Sequence, residues 1–191
     1  MSRISRTALL AAGIVSVSSL VSLSAAQAAV TVFGGDFAQA CYQAARSGLS
    51  RDANVEDCNR ALTTEQLEGH DLAGTYVNRG ALYLAQHHWS WAHDDFQQAL
   101  MIEPKLGEAK VNLGAAEIGM RENRQGVDDI TAGLAMGSQE PEKGYYNRAL
   151  GYENLGDETD AYYDYMKASQ LKPDWADPRN ELVRFTVKPQ Q

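Results

Sequence analysis

The sequence predicts an all-α fold, a solenoid of about four helical hairpins closed by one more helix at the C-terminus. Three observations support this class. Apolar residues recur with helical spacing along most of the chain after residue 35. A pattern of roughly 34 residues recurs between residues 73 and 175, and prolines stand where its outer units end. A recurrence of this length is typical of hairpins that stack, because each hairpin alone leaves an apolar face uncovered.

Length and charge bound the function. The chain has 191 residues, of which 44% are hydrophobic, enough for one domain with a sizeable core. Its formal charge of −8 argues against nucleic acid or an anionic membrane surface as the partner, because both attract basic patches. We therefore expect a partner other than nucleic acid or an anionic membrane surface.

The N-terminal region, residues 1–28, has the pattern of a secretory signal peptide. Two basic residues, Arg3 and Arg6, precede an uncharged apolar run over 8–23, and Ala-Gln-Ala ending at Ala28 supplies a cleavage site. The run is short and rich in serine for a membrane span, so an uncleaved anchor is the weaker alternative. We expect cleavage after Ala28, and a mature chain that is exported to the periplasm or secreted without inserting into a membrane.

Two short helical patterns follow, and each contains one cysteine. The pattern around Cys41 ends at Gly48, and the pattern around Cys58 begins after Asp52, a plausible N-cap. In an oxidising compartment a bridge is favoured over free thiols or a metal site, and closing a loop of this length is worth about 3 kcal/mol. We expect residues 29–72 to form an N-terminal extension and a divergent hairpin, stapled by a Cys41–Cys58 disulfide.

Three units of similar length come after a polar connector over 63–72. They span 73–106, 107–141 and 142–175. Small residues, aromatic residues and a proline recur at equal places in the first and third units: Gly80 and Ala149, Tyr83 and Tyr152, Ala92 and Ala161, Phe96 and Tyr165, Ala99 and Ala168, Pro104 and Pro173.

This pattern resembles the tetratricopeptide repeat family. The resemblance implies two helices that approach closely at small residues such as Gly80 and Ala92, with a proline that ends the second helix. It also implies that the units stack into a right-handed superhelix. The middle unit departs from the pattern at Gly126 and Gly133. Because glycine costs about 1 kcal/mol relative to alanine in a helix, we expect this helix to be the softest element.

The resemblance implies binding rather than chemistry. In this family the first helix of each hairpin lines a concave groove that holds extended peptides or short helices. The residues expected on that face are mostly apolar: Val77, Ala81, Leu84, Val111, Ala115, Ile118, Tyr146 and Leu150. We therefore expect an apolar segment of another protein as the partner, and no cofactor. The alternative is that the chain fills its own groove, with residues 30–37 or with the last helix.

Asparagine and aspartate recur at two fixed places of the units. Asparagine stands at the sixth place in Asn78, Asn112 and Asn147, and aspartate at the twenty-third in Asp57, Asp95, Asp129 and Asp164. The favoured interpretation is structural: asparagine bonds backbone between neighbouring helices, and aspartate faces solvent or pairs with Arg79 and Arg148. The alternative is an acidic stripe that docks a basic partner.

One cluster suggests metal chemistry, namely His87, His88 and His93 interleaved with Trp89 and Trp91. Adjacent side chains in a turn point apart, so two other interpretations are favoured. Either Trp89 or Trp91 packs on the neighbouring hairpin while the histidines face water, or the cluster marks an exposed aromatic contact patch. Phosphate loops, zinc-protease motifs and nucleophile elbows are absent from the sequence, and we expect no enzyme. Two alternatives to an adaptor stay open: an envelope-assembly component without peptide affinity, and metal handling through the three histidines.

The chain beyond the last unit predicts one short helix and a tail. Asp177 can cap a helix that has Pro178 at its first position. Leu182, Val183 and Phe185 give that helix an apolar side. A terminal helix within 176–191 would shield the last hairpin from water. The final residues from 188 onward are expected to fray.

Overall fold

The computed structural model describes residues 3–6, 28–48 and 50–188. Within these ranges the chain forms nine helices and two short strands. The elements are β1 Arg3–Arg6, α1 Asp36–Ser47, α2 Asp52–Thr64, α3 Gly69–Ala85, α4 Trp89–Ile102, α5 Gly107–Gly119, α6 Asn123–Ala135, α7 Pro141–Leu155, α8 Glu158–Leu171, α9 Ala176–Leu182 and β2 Phe185–Lys188. The predicted all-α class is confirmed.

The helices pack as four consecutive hairpins, α1–α2, α3–α4, α5–α6 and α7–α8. The most extensive contacts lie within the hairpins and between the second helix of one and the first helix of the next. Each hairpin therefore covers the apolar face that its neighbour leaves exposed, which is the solenoid that the sequence predicts. The last helix, α9, packs against α8 and closes the stack.

Local sequence explains several helix ends. α1 stops at Gly48, which has φ 68° and donates its N–H to the carbonyls at the end of the helix. Gly156, with φ 83°, closes α7 in the same way. Pro104 and Pro173 follow the ends of α4 and α8, where a proline ring prevents a further turn. Pro141 opens α7, where its missing N–H costs no hydrogen bond.

The first helix of the second hairpin is longer than the sequence predicts. α3 begins at Gly69, so the connector expected over 63–72 shrinks to residues 65–68. The added turn is held by a tertiary contact, because Asp71 accepts a hydrogen bond of 2.9 Å from the backbone N–H of Phe33. A polar turn without apolar spacing is not recognised from periodicity.

Two predicted helix caps are wrong. The N-cap of α2 is Arg51 rather than Asp52, and the N-cap of α9 is Trp175 rather than Asp177. Asp177 instead accepts a hydrogen bond of 3.0 Å from the Trp175 indole N–H. The indole in turn packs on Tyr146, with ring centroids 4.9 Å apart. This packing on the last hairpin overrides the local capping preference.

The predicted bridge between Cys41 and Cys58 is present and joins α1 to α2. Both cysteines are fully buried, in a cluster that also includes Ala81 and Leu82 of α3. The disulfide therefore staples the first hairpin at the place where it meets the second.

The two ends of the described chain meet in a two-stranded antiparallel sheet, in which Arg3 pairs with Lys188. β1 belongs to the predicted signal peptide, but the apolar run and most of the cleavage site fall in residues 7–27, outside the described residues. The frayed tail expected from Lys188 is wrong at that residue, which is paired in β2; residues 189–191 are not described. Within the described ranges no helix combines the length and hydropathy needed to span a membrane.

Candidate binding groove

Residues 28–34 form an extended segment, the strap, that runs across the first helices of three consecutive hairpins. Its contacts are with Tyr42 of α1, Asn78 of α3 and Asn112 of α5. These helices line the groove expected from the stacking of the hairpins. Of the two ways in which the chain was expected to fill its own groove, the structure shows the one at the N-terminal side.

Side chains of the strap alternate between the groove and the solvent. Ala28, Val30 and Val32 are 5% exposed or less, whereas Thr31 is exposed and Phe33 is 81% exposed. This is the alternation of an extended chain, in which successive side chains point to opposite sides. Every second side chain of the strap is therefore buried in the groove.

The backbone of the strap is held by side-chain amides. The Asn78 carboxamide accepts a hydrogen bond from the Val30 N–H and donates one to the Val30 carbonyl, both 2.8 Å long. The Asn112 amide group donates to the Ala28 carbonyl at 3.1 Å, and Gln39 donates to the Val32 carbonyl at 2.6 Å. Buried backbone groups need such partners, and here helices supply them without a neighbouring strand.

A glycine makes room for the strap on α3. A Cβ atom placed on Gly74 would lie 2.7 Å from a methyl carbon of Val32 and 2.9 Å from one of Val30. Separations this short cannot be accommodated without a shift, so any larger residue at this position would push the two valines outward. The groove at α3 is thus shaped for a chain that lies directly on the helix.

All eight residues predicted for the concave face are 2% exposed or less. Val30 lies in the same buried cluster as Val77, Leu84 and Ala115. Ile118 packs between hairpins, since a Cβ atom on Gly151 of α7 would lie 2.8 Å from its terminal carbon.

Tyr146 packs on Tyr165 and Trp175, in the core of the last hairpin. Val111 lies against α6, because a Cβ atom on Gly133 would come within 2.7 Å of its side chain. Contact of any of the eight with a partner stays a prediction, and it requires that what covers them moves away.

The recurrent asparagines have a different role from the one predicted. Asn78 and Asn112 bond the backbone of the strap rather than that of a neighbouring helix. Asn147, at the same place of the last unit, is fully buried, and among the described residues neither its amide nitrogen nor its amide oxygen has a hydrogen-bond partner. The amide oxygen of Asn112 also has no partner within the described part of the chain. The recurrence was visible in the sequence, but its meaning depends on where the strap lies.

Beside the strap, at Ala29 and Thr31, the groove is lined by charged side chains. A cavity of about 250 Å³ beside Ala29 is lined by side chains of α1, α5 and α7 and of the turn before α7: Tyr42, Arg46, Glu108, Gln139, Glu140 and Lys143. Glu108 is nearly buried and accepts a hydrogen bond of 2.7 Å from the Gln139 N–H. Both signs of charge are present, so this end differs from the apolar floor at Gly74.

Comparisons with solved structures identify the architecture. The first TPR domain of human RPAP3 shares 20% identity and a TM-score of 0.54 over 59% of this chain and 87% of that one. The first TPR of Spaghetti (RPAP3), bound to the HSP90 peptide SRMEEVD, shares 20% identity and a TM-score of 0.55 over 61% of this chain and 91% of that one. A MamA RS-1 ArsTM double mutant shares 17% identity and a TM-score of 0.57 over 78% of this chain and 82% of that one. The chain has the tetratricopeptide-repeat fold. No family model and no curated protein matches the sequence.

The outer tetratricopeptide units share a buried ion pair. Arg79 forms two hydrogen bonds with Asp95, 2.8 and 2.6 Å long, and Arg148 bonds Asp164 in the same way. Burial raises the pKa of Asp95 although its bonds to Arg79 act in the other direction. Asp95 and Asp164 are less than 8% exposed, so the alternative of an exposed acidic stripe is wrong at these two positions. The predicted pairing with arginine is confirmed.

The middle tetratricopeptide unit replaces this ion pair. Asp129 pairs instead with Lys110 at 2.8 Å, and Glu117 stands where the outer units have Tyr83 and Tyr152. Glu117 is fully buried, and one of its carboxyl oxygens has no hydrogen-bond partner among the residues that the structure describes. Burial, helped by the charge of Asp129, raises the pKa of Glu117 to about 7. The middle unit therefore carries a titratable group inside the solenoid.

The histidine cluster forms an aromatic patch on the turn between α3 and α4. The ring of His87 packs against Trp89 and that of His88 against Trp91, with centroids 4.7 and 4.6 Å apart. His93 lies 3.5 Å from a neighbouring carboxylate. The three imidazoles thus turn to different partners, and among the described residues no three metal-binding side chains converge. Trp91 is 56% exposed, whereas Trp89 packs on the next hairpin, where a Cβ atom on Gly119 would lie 2.6 Å from its ring.

Proposed function

We propose that this protein is a non-enzymatic interaction module, an adaptor or scaffold, whose concave groove binds an extended apolar segment of another protein. One observation carries the proposal: the Asn78 carboxamide bonds both the N–H and the carbonyl of Val30. A side chain that satisfies both backbone groups of one residue recognises an extended chain whatever its sequence. The groove already holds a segment in this way.

The surroundings of Asn78 support an apolar partner. Gly74 opens the floor of the groove, and the cluster beneath the strap consists of aliphatic side chains such as Val77 and Leu84. In the related solved structure, the first TPR of Spaghetti binds an HSP90 peptide of sequence SRMEEVD. We propose the same general activity here, with a less acidic segment as the partner, because the groove floor at α3 is uncharged.

We also propose that the protein acts in the periplasm or outside the cell. The signal-peptide pattern of residues 1–28 and the buried bridge between Cys41 and Cys58 support this compartment. Disulfides persist in oxidising compartments and are rare in a reducing cytosol. A chain that spaces other envelope components without binding peptides is the competing proposal, and it requires no open groove.

The test is capture of partners from an envelope extract by the tagged full chain and by an Asn78→Leu/Asn112→Leu variant. The two leucines keep the side-chain size but remove the amides that hold a backbone. Circular dichroism and the intact disulfide check that the variant is folded. We expect a partner that the wild type retains and the variant loses.

A matched control is Asn154→Leu, since Asn154 is exposed and bonds only Asn123 among the described contacts. This control should retain the partner. Equal capture by all three proteins would contradict binding through the groove and favour the spacing role.

A further inference from the structure

The strap is held by contacts that another chain could make equally well. Its backbone bonds are all to side chains, from Asn78, Asn112, Gln39 and Asp71, and none of them depends on the strap being part of the same chain. Its buried side chains are small or β-branched, at Ala28, Val30 and Val32. The strap is thus chemically an extended peptide in a peptide groove.

We infer that the strap is an internal stand-in for the partner and therefore describes the partner's chemistry. The partner binds as an extended segment with small or β-branched apolar side chains at every second position, and it competes with the strap for the same amides. This inference rests on the proposed function and adds to it the class of ligand and the way in which access is regulated.

The groove selects a segment in which small or β-branched buried side chains alternate with side chains that face outward. Gly74 leaves room for methyl groups of Val30 and Val32 but for little more, since a Cβ atom there would already lie 2.7 Å from one of them. The residues between them, such as Thr31, face outward and are free to vary. Long or charged side chains at the buried positions would be excluded by size or by the cost of burying charge.

A competing segment needs an advantage, because a strap tethered to the groove has a high effective concentration. The unused amides supply that advantage. Ala28 and Val30, two residues apart, are bonded by the asparagines of adjacent units. If the same two-residue spacing continues to the next unit, Asn147 would bond the partner residue that lies two positions before the one equivalent to Ala28.

The strap, residues 28–34, uses neither the amide of Asn147, which is buried with no hydrogen-bond partner in the described ranges, nor the amide oxygen of Asn112. Buried unpaired polar groups are costly, so an occupant that reaches α7 and pairs them gains relative to the strap. A longer extended segment is therefore favoured over the internal one.

The probes are synthetic peptides added to the full chain. The strap peptide is Ala-Ala-Val-Thr-Val-Phe-Gly, and an extended peptide adds Ala-Ser before it. A scrambled peptide, Val-Thr-Phe-Gly-Val-Ala-Ala, has the same composition. Its odd positions place phenylalanine between the two valines and its even positions contain no valine, so sliding by one residue does not restore the alternation.

One protein variant is designed to expel the strap from the groove, and a second is designed to leave it in place. Val30→Asp/Val32→Asp places two charges at the buried positions and should expel it, whereas Thr31→Asp/Phe33→Asp adds the same charges on its exposed side and should not. We expect the strap peptide to bind the first variant about tenfold or more tightly than it binds the wild type or the second variant, because a filled groove lowers apparent affinity. The scrambled peptide should bind none of them.

The extension provides a second measurement. The extended peptide should bind the opened variant about tenfold more tightly than the strap peptide, and the gain should vanish when Asn147→Leu is added. Equal binding of the scrambled peptide, no binding of the strap peptide, or a gain that survives Asn147→Leu would each overturn the inference.

If the doubly charged variant does not fold, Val30→Ser/Val32→Ser replaces it; should that chain also fail to fold, the strap is a fixed part of the core and the inference is wrong. Failure of this inference can be distinguished from failure of the proposed function. A partner captured through Asn78 and Asn112 that the strap peptide cannot displace would leave the groove as the binding site and overturn only the ligand class.

Discussion

Gly114 and Gly126 face each other where α5 crosses α6, so closely that a Cβ atom added to either would lie 2.5 Å from the carbonyl oxygen of the other. The two helices of the middle unit therefore touch backbone to backbone. The sequence predicts a soft helix from Gly126 and Gly133, because glycine lowers helix propensity. The contact gives Gly126 a packing role, and the softness of this helix stays a prediction.

The two effects make opposite predictions for Gly126→Ala. Helix propensity alone would stabilise the protein by about 1 kcal/mol. The contact predicts destabilisation, because the neighbour is backbone and forcing extra volume into a close contact costs about 1–3 kcal/mol. We expect the contact to dominate, with a net loss measured by urea unfolding. Arg124→Ala, at an exposed position of the same helix, should leave the free energy of unfolding nearly unchanged. A more stable Gly126→Ala protein would show that α5 and α6 can separate at little cost.

The Cys41–Cys58 bridge should contribute about 3 kcal/mol of stability, because it restricts the unfolded chain. Replacing both cysteines by serine should lower the melting temperature and leave the helical content below it intact. Because both cysteines are joined in the bridge, thiol reagents should detect no free thiol before reduction, even in the unfolded protein. Two titratable thiols in the unfolded, unreduced protein would contradict the bridge.

Glu117 predicts a pH dependence of stability. Its pKa is raised by burial from 4.5 to about 7, so between these values the folded state binds more protons than the unfolded state. Stability contributed by protonated Glu117 is therefore greatest below pH 4.5 and is lost as pH rises toward 7. We expect Glu117→Gln to remove this decline and to raise the melting temperature at pH 8.

Asp128→Asn is the matched control for Glu117, because Asp128 is an exposed acid on α6. Melting temperatures across pH 4 to 8 should follow the wild type in this variant. A decline of stability over the same pH range in Glu117→Gln as well would assign the effect to other carboxyl groups.

The signal-peptide pattern predicts that the exported protein begins at Ala29. Mass spectrometry of the protein from the periplasm should find this N-terminus, and Ala26→Leu/Ala28→Leu should block its formation by removing the small residues that the cleavage site needs. Cleavage would remove Ala28 and its bond to Asn112, whereas Val30 and Val32 would remain, so the strap would keep its buried valines and its bonds to Asn78. An uncleaved chain recovered with the membrane would favour the anchor instead.

The sequence by itself determined the architecture of this protein. Its period, its small and aromatic residues at fixed places and its terminal prolines specify hairpins and their stacking, because these features act within one unit or between adjacent ones. The pairing of Cys41 with Cys58 and that of Asp95 with Arg79 were predictable for the same reason: a hairpin brings each pair together.

Only the tertiary structure decided what the groove contains. The bonds of Asn78 to Val30 join residues 48 apart, and those of Asn112 to Ala28 join residues 84 apart. No helical period relates such pairs, and an extended segment of seven residues carries no pattern that says where it docks. The same holds for Gly126, whose role depends on the carbonyl of Gly114 across the hairpin. Local periodicity specifies elements and their neighbours; the occupant of a concave surface depends on the shape that all of them make together.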